Sequence, residues 1–301
     1  MTTALQLPGD NRPTEFSLPD ATRLGIIRLQ VARLEPSVEW YERVLGFRTL
    51  SRDTGAAALG AHDGNEALVE LREQPGALPA PRRGVLGLYH FAILLPDRTA
   101  LGRLITHLAT VGERAGASNH LVSEALYLTD PDGLGIEIYA DLPRSAWQRQ
   151  GGELQMATAP LDLESVVAAS GGQPWAGMPH GTTIGHVHLH VGDIDQAMRL
   201  YHEALGFDIM VRSYPGARFL SAGGYHHHLG INTWAGPGAT APGDRDARLL
   251  EWTIVLPNDD SIRQVAKHVS ARGYAVRDDG NSVVIIDPWG TSMRLLPETV
   301  E

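Results

Sequence analysis

Histidine is the residue type whose placement in this sequence points to chemistry. His186, His188 and His190 alternate with apolar residues. Because successive side chains of a strand point to opposite faces, these three imidazoles share one face, and we expect that face to line a cup. The plainer explanation is a sheet with one solvated face. Three further histidines stand together at 226–228, between strand-forming residues. Since an imidazole can ligate a metal or move a proton near neutral pH, both runs are candidate functional segments.

The composition excludes several other kinds of chemistry. The chain has 301 residues and a formal net charge of -10, which argues against a nucleic-acid binder, since that function needs a basic face. Cysteine is absent, so disulfides, zinc–thiolate sites, iron–sulfur clusters and cysteine nucleophiles are excluded. The first ten residues lack the pattern of a signal peptide, and no apolar run reaches the roughly 18 residues of a membrane span. We therefore expect a cytoplasmic protein that does not enter a membrane.

An internal repeat organises the chain. Residues 26–47 recur at 186–207 without a gap, and each copy shows strand-like alternation, a short turn and helical spacing that ends in Leu-Gly-Phe. This order predicts a strand followed by an amphipathic helix with a glycine cap.

A second pair of repeats begins at residues 90 and 251. Each copy continues into a helical stretch, and each closes with Asp-Pro-x-Gly, at 130–133 and at 287–290, before an alternating segment. Asp-Pro followed by Gly is typical of a turn between two strands. The sequence therefore contains four units of one type, each predicted to be a strand, a helix and two or three further strands.

These units divide the chain into modules. We predict an N-terminal arm (1–21), module one (22–80), module two (84–143), a linker rich in Pro and Gly with a short helix around 161–169 (144–180), module three (181–242) and module four (247–301).

The module pattern resembles the vicinal oxygen chelate superfamily, which includes glyoxalases, bleomycin resistance proteins and extradiol dioxygenases. The resemblance covers about residues 22–140 and 181–299, and it is closest to two-domain ring-cleaving enzymes of the catechol 2,3-dioxygenase type. It implies an α+β fold in which four βαβββ modules form two cupped mixed sheets.

The resemblance also implies a metal site. In this superfamily the first strand of a module can supply a ligand, at a position that here holds Ile26, His90, His186 or Glu251, and the last strand can supply a glutamate. Ile26 has no atom that can ligate a metal, so only the other three are candidates on the first strands. That glutamate position holds Glu137 in module two and Arg294 in module four; Arg294 cannot ligate, because it has no acceptor lone pair.

His90, Glu137 and His186 together make a two-histidine, one-carboxylate triad, which suits non-haem iron(II) with open coordination positions. We take Fe²⁺ as the expected metal, with Mn²⁺ as the alternative.

Three further residues match substrate-contacting positions of the resembling dioxygenases. His227 fits the acid–base histidine, and His226 competes with it because strand phase can slip by one residue. Tyr127, ten residues before Glu137, fits a tyrosine that hydrogen-bonds substrate oxygen, and His120 fits a histidine that contacts the substrate hydroxyl.

The ligand set also predicts which modules share the site. Typical extradiol enzymes use modules three and four, which here would offer His186, Glu251 and Arg294. Only modules two and three together supply two histidines and a glutamate. We therefore expect these two modules to pair around the metal, and modules one and four to form a metal-free cup.

The resemblance implies an iron(II)-dependent extradiol dioxygenase that acts on a catechol or hydroquinone-type diol with O₂. A homo-oligomer is compatible with the sequence. Two alternatives stay open. One is a glyoxalase-like metal-dependent isomerase or transferase, and the other is a non-catalytic aromatic-binding resistance protein.

Overall fold

All but two of the described strands belong to two eight-stranded sheets. The computed structural model describes residues 11–13, 15–81 and 83–298. The strands of the first two modules are β1 (Arg23–Val31), β2 (Arg48–Asp53), β3 (Ala56–Gly60), β4 (Ala67–Glu73), β5 (Gly87–Leu94), β6 (Gly116–Asn119), β7 (Ser123–Thr129) and β8 (Gly135–Asp141). A small hairpin follows, formed by β9 (Arg149–Gln150) and β10 (Glu153–Leu154). The strands of the last two modules are β11 (Thr183–His190), β12 (Asp208–Val211), β13 (Ala217–Ser221), β14 (Leu229–Asn232), β15 (Arg248–Leu256), β16 (Val276–Asp278), β17 (Val283–Ile286) and β18 (Ser292–Pro297).

Each module has one helical segment after its first strand. The helices are α1 (Leu34–Trp40), α2 (Arg98–Val111), α3 (Leu163–Ala169), α4 (Ile194–Met198) and α5 (Asp259–Ala271). Of these, α3 lies between modules two and three, where the sequence predicts a short helix. Both α1 and α4 continue as π-helical turns, Tyr41–Leu45 and Arg199–Ala204, and a 3-10 turn spans Arg144–Ala146. None of the described helices is long and apolar enough to cross a membrane.

The sheet order shows how the modules pair. The first sheet has the order β16-β17-β18-β15-β1-β4-β3-β2, and the second sheet has the order β12-β13-β14-β11-β5-β8-β7-β6. Modules one and four therefore share the first sheet, and modules two and three share the second. Both sheets are mixed, because the two central strands are antiparallel to each other and each is parallel to its other neighbour. The predicted α+β fold and the predicted module pairing are confirmed.

The helix ends follow from the repeated sequence. Asp97 and Asn258, which stand at equivalent positions of the repeats that begin at residues 90 and 251, accept hydrogen bonds from backbone N–H groups in the first turns of α2 and α5. Gly46 ends the π-helical turn after α1 with φ 74°, a left-handed conformation that favours glycine. A Cβ there would also lie 2.5 Å from Nε1 of Trp175, so the glycine permits the close packing of the linker.

A buried tyrosine–aspartate hydrogen bond ties consecutive modules together, although they belong to different sheets. The Tyr41 hydroxyl donates to Asp130 in the Asp-Pro-x-Gly turn of module two at 3.2 Å. The repeat preserves this contact in modules three and four, where Tyr201 donates to Asp287 at 2.9 Å. The other oxygen of each aspartate accepts two backbone N–H groups of its own turn. Each turn therefore both joins two strands and links the two sheets.

The arm and the linker pack against the modules. Residues 1–10 and 14 of the predicted arm lie outside the described residues. In the described part, the Leu18 N–H donates to the Gly206 carbonyl at 2.9 Å, so the arm covers the end of the module-three helix. In the linker, α3 crosses α2 at Gly102, where a Cβ would overlap the Val166 carbonyl oxygen.

We predict that Asp130 makes stability depend on pH. Burial raises the pKa of Asp130 to about 7, above its ordinary value of 3.8. As the pH rises between these values, the unfolded chain releases the proton while the folded protein keeps it, so the contribution of Asp130 to the free energy of unfolding falls. The Asp130→Asn variant cannot titrate at this position. Urea denaturation measures the free energy of unfolding of both proteins. The wild-type value minus the variant value should fall by on the order of 2 kcal/mol from about pH 5 to pH 7. An equal difference at the two pH values would contradict this assignment.

Candidate metal centre

Three buried side chains meet on one face of the second sheet. Glu137 of β8, Ala92 of β5 and His186 of β11 lie side by side in one row across adjacent strands. Because Ala92 carries only a methyl group, Glu137 and His186 can meet above it, and Oε2 of Glu137 lies 3.1 Å from Nε2 of His186. His90 precedes Ala92 by two residues and so shares its face. Nε2 of His90 lies 3.1 Å from the same glutamate oxygen.

The structure thus brings together the three residues predicted as ligands. Their candidate ligand atoms all lie within 4.8 Å of one another. The side chains are almost inaccessible to solvent, with His90 6%, Glu137 3% and His186 1% exposed. The two imidazole rings also meet edge to face, with their centroids 5.5 Å apart.

The protonation state of this cluster suits metal binding. Burial lowers the pKa of His186 to about 4, although Glu137 partly opposes that shift, so His186 is neutral at neutral pH. Burial alone would raise the pKa of Glu137, but His186 and His90 beside it hold that pKa well below its usual range. A neutral imidazole and an ionised carboxylate are the forms that ligate a metal.

The hydrogen bonding also fits a bound cation. Both Nε2 atoms approach one oxygen of Glu137, but only His186 has the geometry of a hydrogen bond to it. Nε2 of His90 is buried and has no hydrogen-bond partner in the described part of the chain. An unpartnered buried polar atom is uncommon and costs about 1–3 kcal/mol. A cation between the three side chains would satisfy this nitrogen, so the donor set fits a divalent metal.

A cavity of about 250 Å³ opens beside the cluster, and His90 and Glu137 form part of its wall. The three other predicted site residues, His120, Tyr127 and His227, line the same cavity. A second cavity, of about 850 Å³, lies against the first at Tyr89 and Trp234 but contains none of these five residues. The smaller cavity is therefore the candidate substrate site.

Tyr127 and His120 form a hydrogen-bonded pair in this cavity. Tyr127 lies directly opposite Glu137 across the β7–β8 hairpin, which explains the ten-residue spacing in the sequence. Nδ1 of His120 lies 2.8 Å from the Ala157 carbonyl oxygen and must donate a hydrogen bond to it. When His120 is neutral, its Nε2 therefore accepts a hydrogen bond from the Tyr127 hydroxyl, at 2.6 Å. Burial and the charge of Glu137 raise the pKa of Tyr127 above its ordinary value of 10, so the phenol stays neutral.

The expectation that strand phase orients the histidines at 226–228 is wrong. β14 begins only at Leu229, and the three histidines lie in a bent segment after Gly223 and Gly224, whose φ angles are 62° and 68°. Face alternation therefore does not decide which imidazole reaches the cavity.

The side chains of these histidines take three different directions. His228 hydrogen-bonds Ser221 at 2.9 Å, and His226 pairs with Asp141 at 2.9 Å. His227 lines the cavity, and its ring centroid lies 4.0 Å from that of the ligand candidate His186. Burial, followed by the nearby His186 and His226, lowers the pKa of His227 well below its ordinary value.

Several wall residues were not singled out from the sequence. The linker contributes Met156, Ala157 and Thr158 to the cavity, and nothing in their composition distinguishes them from other loop residues. His188 also lines the cavity and is 4% exposed, so it is not a surface group. This agrees with the expectation from the sequence, because His188 belongs to the 186–190 stripe whose face was expected to line a cup.

The first sheet holds the corresponding residues of modules one and four, as the sequence predicts. Glu251 occupies the position equivalent to His90, and Arg294 occupies that of Glu137. Nε of Arg294 donates to Glu251 at 2.7 Å, and Arg28 donates to the same glutamate oxygen from the other side. This carboxylate is paired with two guanidinium groups, so the cluster is an ion-pair network rather than a metal site.

The chain is similar to proteins of one known superfamily. A family model described as the Glyoxalase/Bleomycin resistance protein/Dioxygenase superfamily matches residues 23–138 and 183–285. The chain belongs to this superfamily. A catechol-2,3-dioxygenase of Bacillus subtilis (strain 168) is 44% identical over 275 residues, which are 90% of this chain and 96% of that protein. This relative confirms the expectation of an enzyme of the catechol 2,3-dioxygenase type within the superfamily.

Solved structures of low identity share the superfamily fold. A structure from Bacillus subtilis subsp. subtilis str. 168 aligns with a TM-score of 0.65 at 13% identity, over 95% of this chain and 87% of that one. Glyoxalase I from Zea mays aligns with a TM-score of 0.55 at 18% identity, over 92% of each chain. At such identities the likeness concerns the fold alone.

A matched pair of substitutions distinguishes the two clusters of this superfamily member. Glu137→Gln removes the carboxylate charge between two imidazoles, and we expect it to weaken divalent-metal binding by at least about tenfold. Glu251→Gln makes the same change in the first sheet and should leave metal binding unaltered. Calorimetric titration of the metal-free protein with Mn²⁺ measures both affinities. Equal affinities for the two variants would show that Glu137 is not a ligand.

Proposed function

We propose that this protein is an iron(II)-dependent extradiol dioxygenase that cleaves the ring of a small catechol or hydroquinone-type diol with O₂. The observation that carries the proposal is the buried His90–Glu137–His186 cluster, beside a cavity that contains a hydrogen-bonded Tyr127–His120 pair and His227. The 44% identity to a catechol-2,3-dioxygenase supports the ring-cleaving reaction.

His90, His186 and Glu137 would hold the metal. Iron(II) bound by these three ligands would supply open coordination positions for a diol and for dioxygen, and it would pass electrons between them. Fe²⁺ is the metal of this proposal, and Mn²⁺ is the alternative that the same ligands accept. The protein's own contribution is to orient the diol and to move its protons.

The cavity favours a small aromatic substrate. Its volume of about 250 Å³ lies just below the range of about 300–1,000 Å³ that is usual for ligand pockets, so it suits a single ring. Tyr214, Phe219 and Trp234 provide aromatic wall surface. Among the described residues the lining contains no Lys or Arg, so no ammonium or guanidinium group there would pair with a carboxylate on the substrate.

His227 is the proposed acid–base residue. Because its pKa is lowered, the imidazole is neutral at neutral pH and can accept a proton from a substrate hydroxyl. It can return that proton to the ring-opened product. The Tyr127 hydroxyl proton is directed to His120, which leaves lone pairs on the Tyr127 oxygen to accept a hydrogen bond from the substrate.

The cytoplasmic location and the homo-oligomer stay predictions.

Oxygen uptake after anaerobic reconstitution with Fe²⁺ tests this function. With catechol or hydroquinone, we expect consumption of one O₂ for each ring opened, and we expect no uptake after loading with Zn²⁺. Isomerisation of a hemithioacetal without O₂ uptake would favour the glyoxalase-like alternative. Tight binding of the aromatic without turnover would favour a resistance protein, and either result would overturn the proposal.

Replacement of His227 tests its role separately. His227→Asn keeps a polar side chain in the cavity but removes the imidazole, so we expect turnover to fall by roughly 10²–10⁴-fold with iron content unchanged. His180→Asn is the matched control at an exposed histidine and should behave as wild type. Loss of iron in His227→Asn would instead make His227 a ligand, and unchanged turnover would remove it from the acid–base role.

A further inference from the structure

A buried hydrogen-bond chain runs from the end of β8 to His227. Nε2 of His226 lies 2.9 Å from Oδ1 of Asp141, and Nδ1 of His226 lies 2.7 Å from Nδ1 of His227. The His226 side chain is fully buried, and that of Asp141 is 28% exposed. Neither Asp141 nor His226 lines the cavity, so neither touches the substrate in the proposed reaction.

The donors and acceptors of this chain can be assigned in order. A carboxylate only accepts, so Nε2 of His226 donates to Asp141. When His226 is neutral, its Nδ1 then has no hydrogen and must accept. Nδ1 of His227 therefore carries the hydrogen and donates to His226. The hydrogen on Nδ1 leaves Nε2 of a neutral His227 with a lone pair, and no hydrogen bond among the described residues uses that atom.

The surrounding side chains keep this chain in place. The Tyr225 hydroxyl donates to the same Asp141 oxygen at 3.2 Å, and the Tyr139 hydroxyl lies 2.6 Å from that of Tyr225. The Trp147 ring packs edge-on against His226, with centroids 5.5 Å apart. Asp141 lies four residues after Glu137, so strand β8 places Glu137, Tyr139 and Asp141 on one face.

The opposite tautomer of His227 would place a hydrogen on Nε2. That nitrogen could then donate a hydrogen bond but could not take a proton from a substrate hydroxyl. We propose that Asp141 and His226 are positioning residues that hold His227 in the Nδ1–H tautomer, with Nε2 available as the base. The inference rests on the proposed function, because it assumes that His227 is the acid–base residue.

Two substitutions of His226 separate hydrogen bonding from packing. In His226→Gln the side-chain amide can donate to Asp141 and accept from His227, whereas in His226→Leu it can do neither. With iron-loaded full-length protein and catechol, we expect His226→Leu to lower kcat by about 10²-fold, with KM and iron content unchanged, because an incorrectly held imidazole tautomer is a poor base. His226→Gln should restore kcat to within about tenfold of wild type. Wild-type kcat in His226→Leu, or equal losses in both variants, would overturn the inference.

The tautomer itself can be observed without turnover. In the Zn²⁺-loaded, ¹⁵N-histidine-labelled full chain, two-bond nitrogen–proton NMR spectra distinguish Nδ1–H from Nε2–H imidazoles, and comparison with His227→Asn assigns the His227 signals. We expect Nδ1–H in the wild type and in His226→Gln, and a loss of that preference in His226→Leu. A wild-type His227 protonated on Nε2 would overturn the inference. If the Zn²⁺-loaded wild type shows the expected tautomer but the iron-loaded wild type shows no ring cleavage, the proposed function fails and the tautomer assignment stands.

Discussion

The imidazoles of His90 and His186 meet the Glu137 carboxylate above the methyl group of Ala92. The strand order of the second sheet brings these side chains together. Glu137 and His186 flank Ala92 in one row, and His90 approaches the same glutamate oxygen from two residues away. The contact requires β5 and β11 to be antiparallel neighbours, so modules two and three must pair. Modules one and two then belong to different sheets, and so do modules three and four. The Tyr41–Asp130 and Tyr201–Asp287 hydrogen bonds connect them.

The two sheets pair a buried glutamate in two different ways. Each sheet places a glutamate near its centre, and a buried carboxylate is costly unless it is paired. In the first sheet, the Arg28 and Arg294 guanidinium groups pair with Glu251. In the second sheet, the imidazoles of His90 and His186 flank Glu137, one nitrogen of each has no hydrogen-bond partner among the described residues, and a cavity adjoins the cluster. Only the second arrangement leaves donor atoms available for a metal.

The parts of the molecule that could be predicted from the sequence are those that the internal repeat encodes. Repetition gave the module order, the glycine-capped helices and the strand positions of His90 and His186, and the presence of Arg294 where Glu137 stands in module two identified which modules pair. The bend at 225–228 escaped prediction because Gly223 and Gly224 adopt left-handed φ angles that end the strand pattern. The contact between the Ala157 carbonyl and His120, which fixes the His120 tautomer, could not be predicted either. Every residue has a carbonyl, and only the path of the linker brings this one to the site.

The proposed function depends on one metal ion bound between His90, Glu137 and His186. The most direct measurement is an anomalous-difference map at the iron absorption edge, from crystals grown anaerobically with Fe²⁺. We expect one strong peak about 2.0–2.2 Å from the Nε2 atoms of both histidines and from a Glu137 oxygen. A peak beside Glu251 in the first sheet, or a fully occupied iron site away from His90 and His186, would contradict this ligand assignment.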